Sequence, residues 1–146
     1  MRNYAIELQE NNRFCVPAVL QTIFSRHRIF IEQKEIAKNL THTDLGYLIG
    51  DERIKKFMAS KGFDYNYYRY NELPFNEPEI VLGEVNNGRD IIIEYGHHAR
   101  LLVGFKEPGI YLANPKTGTR INLTIKALND KMNGTGGIGI AKRIAS

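Results

Sequence analysis

A single cysteine among 146 residues leaves no partner for an internal disulfide, and it excludes a tetrahedral zinc site built from cysteines. Tryptophan is absent, and no apolar stretch approaches the roughly 18 residues of a membrane span. The opening segment MRNYAIELQENNR has no hydrophobic core of the kind a secretory signal carries. The expected location is therefore the cytosol of the cell that makes the chain, with delivery into another cell as an effector left open. The Asn-x-Thr triplets at Asn39, Asn122 and Asn133 then read as accidental. Charge of one sign is also scarce: 20 Lys and Arg against 16 Asp and Glu give +4. The basic residues fall in small groups such as Arg26-His27-Arg28 and Lys142-Arg143, not in the run that marks a nucleic-acid arm, so no nucleic-acid partner is expected.

What is present is enough for one globular domain spanning 1–146. A 42% hydrophobic content and 15 Phe and Tyr residues offset the entropy of ordering the chain. Val16, Val19, Leu20, Ile23 and Phe24 follow helical spacing, which predicts a helix from about Cys15 to Arg28. Pro17 falls in its first turn, where a missing N–H costs nothing. Short helices follow from about Glu32 and around Ile54 to Met58, the latter ending at Gly62. Beyond this the period becomes extended. Strands are predicted over Tyr65–Tyr70, Glu79–Val85, Asp90–Tyr95, His98–Phe105, Ile110–Asn114, Thr119–Leu123 and Ile138–Ile144, with a helix over Thr124–Met132. Helices over about 1–62 and strands over about 63–146 make the α+β pattern of two segregated layers.

Cys15 at a helix start is the first candidate for chemistry, because the helix dipole and unpaired N–H groups favour an anion and are expected to lower the thiol pKa. The alternative is a small buried hydrophobe. Gln9, six residues earlier, supplies a side-chain amide that could join the Cys15 N–H as an oxyanion donor. Of the four histidines, His27 and His42 read as exposed structural residues. His98 opens an apolar strand, and Asn114 closes the next one. A turn through Lys106-Glu107-Pro108-Gly109 would bring His98 and Asn114 onto one face in the simplest register, where an amide oxygen can orient an imidazole.

Gln9, Cys15-Val16-Pro17-Ala18, the strand His98 to Phe105 and Tyr111-Leu112-Ala113-Asn114-Pro115 together resemble the papain-like cysteine peptidases. The nearest branch is the bacteriocin-processing double-glycine leader peptidases and their free-standing relatives. In both groups a glutamine stands six before the cysteine and the histidine six before a glycine, which selects His98, six before Gly104, over His97. The resemblance implies a papain-like fold, a helical lobe carrying Cys15 and an antiparallel sheet carrying His98 and Asn114. It implies peptide-bond cleavage through a thioester on Cys15, with His98 as base and acid, Asn114 as orienting residue, Gln9 in the oxyanion hole and a peptide or protein as substrate. Phe14, Val16 and His97 would line the substrate cleft. Phe14 and Val16 stand where the bacteriocin branch carries Asp and Gly, and Asn114 is the papain-type choice where that branch uses Asp. An acyl or peptidyl transferase on the same fold, or a non-enzymatic peptide- or nucleic-acid-binding module, are the alternatives.

Other patterns have plainer readings. His97-His98 with Cys15 as zinc ligands is disfavoured because adjacent strand residues face opposite ways, so neither a metal nor any other cofactor is called for. Gly134 to Gly139 spells G-x-G-x-x-G, but only seven residues follow Gly139, too few for a dinucleotide unit. The same stretch holds Gly136-Gly137, a double-glycine dipeptide. Tyr65, Tyr67, Tyr68 and Tyr70 suit a half-buried strand. Arg100 is read as pairing with a surface carboxylate, and Glu72, Glu77, Glu79 and Glu84 as a solvated face.

Overall fold

The computed structural model describes residues 4–72, 78–132 and 135–144. Glu77 of the acidic group, Asn133 of the third Asn-x-Thr triplet and Gly134 of the glycine pattern lie outside the described residues. The first helix, α1 (Cys15–Arg26), buries Val16, Val19, Leu20, Ile23 and Phe24 along one stripe. It is followed by α2 (Gln33–Lys38), a two-stranded hairpin of β1 (His42–Thr43) and β2 (Gly46–Tyr47), and α3 (Glu52–Ser60). Asp51 caps α3 by accepting the Ile54 N–H. After α3 the chain turns at Gly62, whose φ of 87° suits a residue without a β-carbon.

β3 (Phe63–Arg69), β4 (Asp90–Tyr95), β5 (His98–Lys106), β6 (Gly109–Ala113), β7 (Arg120–Thr124) and β8 (Gly137–Arg143) form one antiparallel sheet in the order β3-β8-β4-β5-β6-β7. The C-terminal strand thus lies inside the sheet, one in from the β3 edge, between β3 and β4. Between β3 and β4 runs α4 (Pro78–Gly83), and between β7 and β8 runs α5 (Ile125–Met132).

The helical identity of α4 corrects the expectation of a strand over Glu79–Val85. Val81, Leu82 and the following Val85 fall on one helical face and are buried, while Ile80 is 45% exposed. Pro78 occupies the first helical position, where its ring favours the helix. β-branched content misleads here because the packing partner is a sheet face, which accepts a short amphipathic helix. The consequence is a sheet covered on both sides and not two segregated layers. Helices α1 to α3 pack with Ile92, Ala99, Leu101 and Val103 on one face, whereas α4 and α5 pack with Ile91, Ile93, Leu102 and Leu112 on the other. Burial on both faces is why Asp90-Ile91-Ile92-Ile93 reads as an unbroken run.

The glycines of β8 are explained by β3. Gly137 pairs with Arg69 and Gly139 with Tyr67, and a β-carbon at either glycine would collide with the Tyr67 or Tyr65 phenol. The glycine pattern therefore serves close packing of aromatic rings on a strand. The Gly136-Gly137 peptide leads into β8 and is buried.

Candidate active site

Cys15 is the first residue of α1 and is 6% exposed. The backbone N–H dipoles of Ala99, Val16 and Cys15 itself favour the thiolate. Burial nonetheless pushes the thiol pKa up, and the nearby Glu94 charge adds to the rise, against the lowering by those three N–H groups. This overturns the expected lowering. A helix terminus offers about 0.3–1 kcal/mol to an anion, under one pKa unit, whereas desolvation of a buried group can shift its pKa by several.

His98 is placed by a two-residue hairpin. Tyr95 pairs with His98, and the intervening Gly96 and His97 both adopt left-handed φ, 59° and 57°. That is the backbone a tight turn between twisted strands requires. His97 therefore sits in the turn, and His98 begins the strand whose next N–H dipole acts on the Cys15 thiol. His98 Nε2 lies 2.6 Å from Asn114 Oδ1, and the Lys116 N–H donates to the same oxygen at 2.9 Å. An obligate backbone donor on that atom identifies it as oxygen, so His98 Nε2 carries the hydrogen and Nδ1 keeps the lone pair. Burial lowers the His98 pKa, the Asn114 bond opposes this, and the positive charges of Arg100 and Lys116 reinforce it. No hydrogen bond joins Cys15 to His98 among the described residues; both stand in neutral form near pH 7.

His98 and Asn114 share a face for a reason that a regular register does not supply. The turn pairs Lys106 with Gly109, and continuing that register would set Asn114 opposite Leu101, on the other face from His98. A bulge at Val103 shifts the pairing from Gly104 with Tyr111 to Leu102 with Leu112 and Leu101 with Ala113. Asn114 then follows opposite Arg100, the diagonal neighbour of His98.

Gln9 is anchored beside the same loop, its N–H donating to the Pro115 carbonyl at 2.8 Å. Its side-chain Nε2 donates to the Asn11 carbonyl at 2.9 Å, and Oε1 is buried with no partner. The structure brings Gln9 to the Asn114 loop and does not join it to Cys15 by a hydrogen bond. One N–H of its amide remains uncommitted to any described group.

A cavity of about 610 Å³ opens at Cys15. Val16 and His97 line it together with the β1–β2 hairpin and Glu94, while Phe14 stands behind, its ring edge-on to Tyr47 at 5.7 Å. The hairpin and Glu94 carry no sequence signal as site residues. A two-residue strand is too short for a periodic pattern, although the positive φ of Gly46 marks its turn.

The remaining expectations fare differently. His27 is not an exposed residue: it lies 2.8 Å from the buried Asp90 carboxylate, which also receives Arg26 and the Tyr4 hydroxyl. Arg100 meets no carboxylate among the described residues. It stacks 3.6 Å over the Tyr95 ring and donates to the Tyr95 and His98 carbonyls, steadying the backbone of His98. Among the described residues no three His, Cys, Asp or Glu side chains gather as a metal site would require, and no helix is long and apolar enough to cross a membrane.

A cysteine that opens a helix packed on an antiparallel sheet, with a histidine and an asparagine on adjacent strands of that sheet, gives the chain a papain-like fold. Solved structures of double-glycine peptidases share the fold over nearly the whole chain. A double glycine motif protease from an AMS/PCAT transporter, in complex with the leader peptide, superposes with a TM-score of 0.71 at 17% identity, over 97% of this chain and 92% of that one. The peptidase domain of Streptococcus ComA, a bifunctional ABC transporter of a quorum-sensing pathway, gives 0.70 at 14% identity, over 97% and 100%. A C39-like peptidase from Bacillus anthracis gives 0.65 at 12%, over 98% and 100%. No family model and no curated protein matches the sequence.

Proposed function

We propose that this chain is a papain-like cysteine peptidase that cleaves a peptide bond through a thioester on Cys15. The observation that carries the reading is the His98–Asn114 hydrogen bond, formed at the start of the strand whose Ala99 N–H dipole acts on the Cys15 thiol. A bond in which Asn114 holds the Nε2 hydrogen leaves Nδ1 as the base.

The resting pair is a neutral thiol and a neutral imidazole, not a preformed thiolate and imidazolium. As Sγ attacks the substrate carbonyl, its proton passes to His98 Nδ1. The developing oxyanion is met by the Cys15 N–H and the uncommitted N–H of Gln9. The imidazolium, oriented by Asn114, then protonates the leaving amine, and the acyl group remains on sulfur. His98 next takes a proton from water, which attacks the thioester and frees the acid product. A neutral starting pair avoids holding two charges in a partly desolvated site, at the cost of a proton transfer during attack. A peptide substrate agrees with the neighbouring transporter protease, whose structure contains its leader peptide.

The test is digestion of a defined mixture of synthetic peptides followed by mass spectrometry. The unaltered chain is expected to give discrete cleavage products that Cys15→Ala and His98→Ala do not give. Equal products from Cys15→Ala would refute the reading.

A further inference from the structure

The cavity beside Cys15 has a charge character that the peptidase reading leaves unused. Of its lining residues, Asp44 and Glu94 are acidic and none is Lys or Arg, in a chain that holds 20 of those bases. Glu94 lies on β4 on the same face as Ile92, the face packed against α1. Its cross-strand neighbours are Ala99 on one side and Gly137 on the other, and the Tyr67 phenol fills the space above Gly137, so the carboxylate is open toward the cavity on the Ala99 side. The carboxylate makes no hydrogen bond or ion pair with any described residue, and its charge acts on Cys15, Tyr65 and Tyr67. A partly buried carboxylate without a partner is costly unless something arrives to pair with it. Leu45, Leu48 and Tyr47 line the same cavity and offer apolar surface that suits the aliphatic stem of a long side chain. The other titratable groups lining the cavity are Cys15, Asp44, Tyr47 and His97, the last in the exposed turn, where its charge acts on Glu94.

We propose that this cavity is a substrate subsite for a lysine or arginine side chain close to the scissile bond, with Glu94 as the counter-charge on its floor. The proposal deepens the peptidase reading and rests on Cys15 being the nucleophile. Burial raises the Glu94 pKa and the His97 charge opposes the rise, so the following test is made at pH 8, on the alkaline side of the ordinary carboxylate range.

Cys15 is the only thiol, so its modification rate reports on this cavity alone. The probes are the cationic 2-(trimethylammonium)ethyl and the anionic 2-sulfonatoethyl methanethiosulfonates. In each case the thiolate attacks the sulfenyl sulfur and expels methanesulfinate. Both act on the same thiolate, so the ratio of their rates cancels any change in thiol pKa. Divided by the same ratio for N-acetylcysteine amide, it is expected to exceed unity by about tenfold in the unaltered chain and to fall at least about threefold in Glu94→Gln. A ratio near unity, or one that Glu94→Gln leaves unchanged, overturns the proposal. Should that variant fail to fold, the unaltered chain supplies the second reading: N-acetyl-lysine methylamide is expected to protect Cys15 from methyl methanethiosulfonate at several-fold lower concentration than its norleucine counterpart. Equal protection overturns the proposal. Neither rate depends on peptide hydrolysis, so loss of the peptidase reading in the Cys15→Ala digestion is a separate result.

Discussion

His98 and Asn114 meet at 2.6 Å because β5 carries one more residue than β6 between them. Val103 is that extra residue. It converts a register that would place the two side chains on opposite faces into one that makes them diagonal neighbours. The fold thereby assembles the orienting pair through a local irregularity in an otherwise regular hairpin.

Asn114→Ala is expected to lower kcat by about 10²-fold, toward the small end of what general acid–base catalysis contributes. KM should change little, since Asn114 is assigned to the imidazole and not to the substrate. The double variant with His98→Ala should be no slower than His98→Ala alone, because the two act as one unit. Steady-state kinetics on a cleaved peptide decides this, and additive losses would separate their roles.

Gln9→Ala is expected to cost about 10²- to 10³-fold in kcat, the usual effect of removing an oxyanion donor. Gln9→Glu should not restore it, since a carboxylate accepts and cannot donate. A rate within about threefold of the unaltered chain would remove Gln9 from that role.

The pH profile follows from the directions of the two pKa shifts. Hydrolysis needs neutral His98, so activity is lost as pH falls through a histidine pKa below the ordinary 6.5. Lys116→Ala removes a positive charge that depresses this value and should move the acid limb to higher pH. Alkylation of Cys15 by iodoacetamide should keep rising past pH 8, because burial holds the thiol above the ordinary 9.0. Glu94→Gln should shift the alkylation curve to lower pH by removing an adjacent negative charge. A plateau well below pH 8 in the unaltered chain would instead indicate a preformed ion pair.

The buried Asp90 carboxylate should govern acid stability. Burial raises its pKa, but bonds from His27, Arg26 and Tyr4 outweigh this, and the net shift is downward from 3.8. A depressed folded-state value contributes stability that is present above the unfolded pKa and lost as pH falls through the folded one. Asp90→Asn should therefore destabilise the chain by about 3–5 kcal/mol at pH 7, with the gap closing below about pH 4. Urea unfolding at pH 7 and pH 3 measures both values.

Gly139→Ala should destabilise by about 1–3 kcal/mol, because its β-carbon meets the Tyr65 phenol. Pairing it with Tyr65→Ala should cost less than the sum of the two single changes, since the clash is then gone. Thermal unfolding of the three variants tests this.

Much of the architecture was legible in local pattern. The 3.6-residue period of Val16 to Phe24 with Pro17 in the first turn located α1, and alternation with turn residues located β4 to β8 nearly to the residue. The α4 segment was misread because a short apolar stretch with β-branched residues satisfies either period until its packing partner is known. Cys15, His98 and Asn114 stood out because their residue types and order have chemical meaning without coordinates. Glu94 did not, since one carboxylate in an apolar strand gives no spacing to read.

The sequence by itself determined where α1 begins, which cysteine is available, and that an imidazole and an amide end adjacent strands. These properties depend on neighbours within a few residues. Tertiary structure decided the bulge that puts His98 and Asn114 on one face, the cavity above Glu94, and the sign of the Cys15 pKa shift. That sign depends on how much of the thiol the rest of the fold covers, and desolvation by that burial outweighs the helix terminus on which the thiol sits.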